Sequence, residues 1–85
     1  MNHHVTPDFW QLYNSLPLST QKLAKKNYKL LKRNPKHPSI HFKNVGKYWS
    51  ARVGSQYRAL AVCPDSDIYV WFWIGTHTEY DKLIK

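Results

Sequence analysis

The sequence predicts an α+β domain in which an N-terminal helical hairpin packs on a four-stranded antiparallel sheet. Three observations lead there. Apolar residues in the first third recur at helical spacing. The segment Asn34-Pro35-Lys36-His37-Pro38, with two prolines in four residues, then excludes regular structure, and four apolar runs separated by short turn signals follow it. A chain of 85 residues can bury one core and not two, so residues 1–85 are read as a single domain. At 42% hydrophobic and 15% aromatic, the composition is that of a packed domain rather than a disordered tail.

Thr6-Pro7-Asp8 reads as a helix start: a capping hydroxyl, a proline whose missing N–H costs nothing there, and an acid near the positive end of the dipole. Phe9, Leu12, Tyr13 and Leu16 form its apolar face until Pro17 stops it, so the hairpin turn falls at Leu16 to Leu18. Ser19 is the expected cap of a second, longer helix that ends near Asn34. Leu23, Ala24, Tyr28 and Leu31 form its inward stripe, and Lys22, Lys25, Lys26, Lys29, Lys32 and Arg33 its basic opposite face.

The four expected strands are Ile40 to Val45, Tyr48 to Val53, Tyr57 to Cys63 and Ile68 to Gly75. The turn signals Gly46-Lys47, Gly54-Ser55-Gln56 and Pro64-Asp65-Ser66-Asp67 separate them, and links this short favour an antiparallel meander. In the last strand Ile68, Val70, Phe72 and Ile74 alternate with Tyr69, Trp71 and Trp73. Both faces are apolar, which marks a central or well-covered strand. Thr76 to Lys85 has the makings of a closing helical turn or two.

Thirteen Lys and Arg stand against five Asp and Glu, a net charge of +8, which implies a polyanion or an acidic partner. The lone Cys63 excludes a disulfide framework and a cysteine-based metal site, and fits a reducing cytoplasm. The N-terminus has no signal-peptide pattern, and no apolar run is long enough for a membrane span.

A three-residue loop at Gly54-Ser55-Gln56 pairs Val53 with Tyr57 and sets Arg52 opposite Arg58 on one face. Like charges repel there unless an anion lies between them, and paired guanidiniums are suited to gripping a phosphate. His77, directly after the last strand, is placed to present an imidazole to a cleft. Lys43, Lys47 and the lysines of the second helix are of the kind that contact a nucleic-acid backbone. Among the aromatic residues Tyr80 is the best candidate to stack on a base, because it lies near His77. His3, His4, His37 and His41 lack metal-ligand spacing, and no cofactor-binding motif is present.

A basic hairpin, then Asn34-Pro35-Lys36-His37-Pro38-Ser39, Phe42-Lys43-Asn44-Val45, Trp49-Ser50-Ala51-Arg52-Val53-Gly54, Tyr57-Arg58-Ala59-Leu60 and Trp73-Ile74-Gly75-Thr76-His77 occur in an order that resembles the RelE/ParE superfamily of toxins from bacterial type II toxin–antitoxin systems. The resemblance covers nearly the whole chain. It implies a microbial RNase-like fold and, for the RelE-like branch, a metal-independent, ribosome-dependent mRNA endonuclease working by 2′-OH transesterification. On that resemblance Arg58 steadies the phosphate and His77 is the general acid or base. Lys43 and Arg52 add charge, Tyr80 packs on or orients the base, and Lys22, Lys25, Lys26, Lys29 and Lys47 dock on RNA. The resemblance also implies a cognate antitoxin that covers the basic site. Met1 to Val5 is very short for the first strand of that family and is expected at most as an edge. Two other readings remain at this point: a non-enzymatic inhibitor of DNA gyrase, as in the ParE branch, and a basic nucleic-acid-binding module without catalysis.

Overall fold

The computed structural model describes all residues, Met1–Lys85. In chain order the elements are β1 (Asn2–Val5), α1 (Pro7–Asn14), α2 (Leu18–Arg33), β2 (Lys43–Val45), β3 (Tyr48–Val53), β4 (Tyr57–Asp65), β5 (Ile68–Thr76) and α3 (His77–Ile84). The helical hairpin and the meander form as the sequence predicts. The sheet, however, has five strands in the order β1-β5-β4-β3-β2 and is mixed. The added strand is β1, which pairs in parallel with β5 from Asn2↔Ile68 to Val5↔Trp71. Four residues alternating exposed and half-buried carry too little apolar pattern to announce a strand, and it forms because β5 offers a free edge.

Thr6 caps α1 as expected, its hydroxyl accepting from the Phe9 amide at 3.2 Å, with Pro7 in the first turn. The start of α2 differs from expectation. The helix begins at Leu18 after Pro17, with no side-chain cap, so Ser19 lies inside its first turn. The hairpin turn is secured from α2 instead: the Gln21 side-chain amide donates to the Leu16 carbonyl at 3.0 Å, and the Tyr13 hydroxyl donates to the Gln21 carbonyl at 3.1 Å.

The first sheet strand of the meander begins at Lys43 rather than Ile40. Ile40 is nevertheless 1% exposed, and its carbonyl accepts from the Arg52 amide at 2.7 Å, so this stretch is pinned to β3 without extending the ladder. His41 follows with φ 47°, a left-handed turn that breaks the strand at the next residue.

Tyr13 and Leu31 from the helices join Ala51, Val53, Ala59, Ala61, Tyr69, Trp71 and Ile74 in the main core. Strict alternation fails in β5. Leu60 pairs with Trp73 and Ala61 with Trp71, which leaves Phe72 as the extra residue of a bulge. The bulge shifts the phase by one, so Tyr69, Trp71 and then Ile74 face the helices. Arg52 lies between the core residues Ala51 and Val53 and therefore faces the other side, where α3 packs on β4 and β5. The closing helix, α3, has eight residues, about the two turns expected.

Candidate active site

The β3–β4 hairpin forms in the predicted register, Val53↔Tyr57 and Arg52↔Arg58. Gly54 makes the turn possible: its φ is +65°, and a Cβ there would lie 2.8 Å from Leu23 Cδ2. The next strand places Gly75 beside Arg58. At Gly75 the missing side chain leaves room for the Trp73 indole, whose Cζ2 would lie 2.5 Å from an added Cβ.

The turn from β5 into α3 is held from both ends. Thr76 and Glu79 form a reciprocal capping box, with the Thr76 hydroxyl accepting from the Glu79 amide and the Glu79 carboxylate accepting from the Thr76 amide at 3.0 Å. The Thr76 amide first, and the Thr76 hydroxyl, which also donates to the carboxylate at 2.9 Å, hold the Glu79 carboxyl below its ordinary pKa. The His77 amide donates to the Gln56 carbonyl at 2.8 Å, fastening the start of α3 to the arginine hairpin. His77 is thereby set next to the arginines, although it follows them by many residues in sequence.

The result is a cleft of about 390 Å³ lined by His41, Lys43, Val45, Ser50, Arg52, Arg58, His77, Tyr80, Asp81 and Ile84. The Arg58 Nη1 donates to its neighbour's carbonyl, Tyr57 O, at 2.8 Å, and Arg52 Nε is buried with no hydrogen-bond partner. Burial first, and the facing Arg52 second, lower the Arg58 pKa below its ordinary value, with Tyr80 and Asp81 pulling the other way. Two partly desolvated guanidiniums with an unmet donor have the chemistry to receive an anion. His77 Nε2 lies 3.4 Å from Asp81 Oδ1, both side chains about half exposed, and its ring stacks on Tyr80 with centroids 6.2 Å apart.

Arg52, Arg58, Lys43, His77 and Tyr80 thus line one cleft. Tyr80 is only 6% exposed and lies against the His77 ring, so its face is not open to a base in this arrangement. Lys22, Lys25, Lys26 and Lys29 are exposed on α2, across the sheet from the cleft. Lys47 lies in the β2–β3 turn, its Nζ 5.4 Å from the centre of the Tyr48 ring. Five lining residues were not expected from the sequence: the apolar Val45 and Ile84, and the polar Asp81, Ser50 and His41. Asp81 was legible as the i+4 neighbour of His77 on a helix. Ser50 was legible as an even step from Arg52 along β3. His41 carried no signal, because its position depends on the left-handed turn.

No group of three or more His, Cys, Asp or Glu side chains is arranged to hold a metal ion. A second cavity, about 200 Å³ between the helices and the sheet, is lined almost wholly by apolar side chains and offers nothing for chemistry. No helix is long and apolar enough to cross a membrane.

No family model and no curated protein matches this sequence. Solved structures match over nearly its full length. A chain of the RelB-RelE antitoxin–toxin complex from Methanococcus jannaschii superposes with a TM-score of 0.72, covering 96% of this chain and 99% of that one at 12% identity. The fold is that of the RelE/ParE toxins. A YoeB/ParE toxin from Agrobacterium tumefaciens (TM-score 0.67, 15% identity, 91% of this chain and 99% of that one) and the isolated E. coli RelE toxin (0.63, 13%, 99% and 98%) share it. At such identities the likeness is one of architecture, and what the RelE/ParE fold does in this chain rests on the cleft.

Proposed function

We propose that this protein is the toxin of a toxin–antitoxin pair and acts as a ribosome-dependent mRNA endonuclease through the cleft between β3, β4 and α3. The observation that carries the reading is the facing pair Arg52 and Arg58, with an unmet donor, beside the imidazole of His77. Non-bridging phosphate oxygens lie between the guanidiniums, which neutralise charge as it builds on phosphorus. The ribose 2′-oxygen attacks the adjacent phosphate and loses its proton to water. The 5′-oxygen leaves with a proton from His77, giving a 2′,3′-cyclic phosphate and a free 5′-hydroxyl. Asp81 holds the other side of the imidazole and so orients it for that transfer.

The lysines of α2 lie on the far side of the sheet and serve to dock the protein on ribosomal RNA, leaving the cleft free for the message. The partner that restrains the toxin is a cognate antitoxin. The net charge of +8 suits an acidic or amphipathic segment, and a structural neighbour is itself a toxin–antitoxin complex. The test is the 5′ ends of messages in a reconstituted translation reaction, with the wild-type chain and His77→Ala, each with and without ribosomes. Cleavage is expected only with ribosomes and His77. Intact messages with a folded wild-type protein would sink the nuclease reading, and a block of DNA gyrase in the same preparation would put inhibition by contact in its place.

A further inference from the structure

The functional face of the sheet continues past the cleft. Moving along β3 away from Arg52, the residues on the same side are Ser50 and then Tyr48, since Trp49, Ala51 and Val53 pack with the helix-side core. The Tyr48 ring meets Phe72, with centroids 5.5 Å apart and planes inclined at 48°. Phe72 reaches this side because it is the extra residue of the β5 bulge. Both rings are half-buried, and Lys47 Nζ stands over Tyr48. The patch is continuous with the cleft, because Val45 lines the cleft and pairs with Tyr48. Between the two lies Lys43, paired with Ser50.

We propose that Tyr48 and Phe72 form a stacking subsite for a base of single-stranded RNA that lies beyond the phosphate held by Arg52 and Arg58. This deepens the nuclease reading and rests on it. Four residues of strand separate Arg52 from Tyr48, about 13 Å, which an extended strand spans in about two nucleotides. Lys43, opposite Ser50, stands where an intervening phosphate runs, Lys47 stands just past Tyr48 where the next one follows, and none of these residues carries a negative charge. Aromatic rings interleaved with cations along one track match a nucleic-acid strand, whose bases offer π-faces and whose backbone offers charge at a regular interval. An apolar protein contact would not call for the lysines.

The test is fluorescence anisotropy with a short, end-labelled 2′-O-methyl RNA, which the protein cannot cleave. Tyr48→Leu and Phe72→Leu keep the apolar volume and remove the stacking face. Each is expected to weaken binding about tenfold with the salt dependence unchanged. An abasic site moved along the RNA is expected to cost the wild-type chain a similar factor at one position and to cost Tyr48→Leu nothing further there. That scan needs no variant to fold. Equal affinity for the leucine variants and no sensitive position would overturn the subsite and leave the patch as a protein contact. A wild-type chain that does not bind the free RNA at all would likewise overturn the subsite, whereas the nuclease reading stands or falls separately on message cleavage with ribosomes.

Discussion

Arg52 and Arg58 face each other directly across the β3–β4 ladder, two like charges in the position where sheets ordinarily place opposite ones. Such a pair is destabilising by itself and becomes favourable when an anion bridges it. Inorganic phosphate at constant ionic strength is therefore expected to raise the Tm, and Arg58→Ala to abolish that rise. Arg52→Gln in phosphate-free buffer is expected to gain about 0.2–1 kcal/mol from relief of the repulsion. Thermal melts across a phosphate series check both, and a Tm indifferent to phosphate would remove the anion site.

His77 is half exposed, and its imidazole makes one polar contact, at 3.4 Å, with Asp81 and rests on the Tyr80 ring. Its removal should therefore affect chemistry and not folding. His77→Ala is expected to slow message cleavage by about a hundredfold or more while changing stability by less than about 0.5 kcal/mol. Single-turnover cleavage set beside a thermal melt separates the two, and an unfolded His77→Ala protein would show that the ring is structural.

Gly75 is the place where the indole of Trp73 crosses the backbone beside Arg58. An alanine there puts a methyl group 2.5 Å from the indole, which must move off the strand. Gly75→Ala is expected to cost about 1–3 kcal/mol, and to displace the arginine row with it. Urea denaturation measures the loss; an unchanged midpoint would mean that Trp73 has room elsewhere.

His3 ties β1 to β5. Its Nδ1 accepts from the Trp71 indole N–H at 3.0 Å, while its ring stacks near Tyr69 and Trp71 and meets Tyr28 edge-on. Burial first, then the N-terminal amine and Lys32, lower its pKa below 6.5, with Asp67 opposing and His4 adding to the fall. The folded state favours the neutral ring, so the unfolded chain binds more protons below pH 6.5. The stabilisation is complete above that pH and is lost as the pH falls through the folded value. His3→Asn, which keeps an acceptor but does not titrate, is expected to flatten the acid limb of Tm against pH. An unchanged limb would place the acid sensitivity elsewhere.

Much of this arrangement is legible in the sequence. The hairpin register followed from the three residues Gly54-Ser55-Gln56, and with it the facing arginines, because turn length alone fixes which residues oppose. The proline-rich break between α2 and β2 and the bounds of β3 were equally plain. The misses share a cause. β1 exists only through its pairing with β5, the bulge at Phe72 depends on the fit between two strands, and His41 enters the cleft through a left-handed residue. None of these is a property of local pattern. Tyr80 was placed at the right spot, but its burial depends on α3 packing against the sheet, which spacing does not reveal.

The position of β5 inside the sheet, between β1 and β4, also orders events in time. β1 waits as an unpaired strand until both helices of the hairpin and the first three strands of the meander have been made and β5 follows them, and α3 comes later still. A nascent chain can display both arginines on a finished hairpin and yet have no wall on which to hold His77. The cleft is therefore completed only by a late, long-range pairing, the kind of contact that forms slowly.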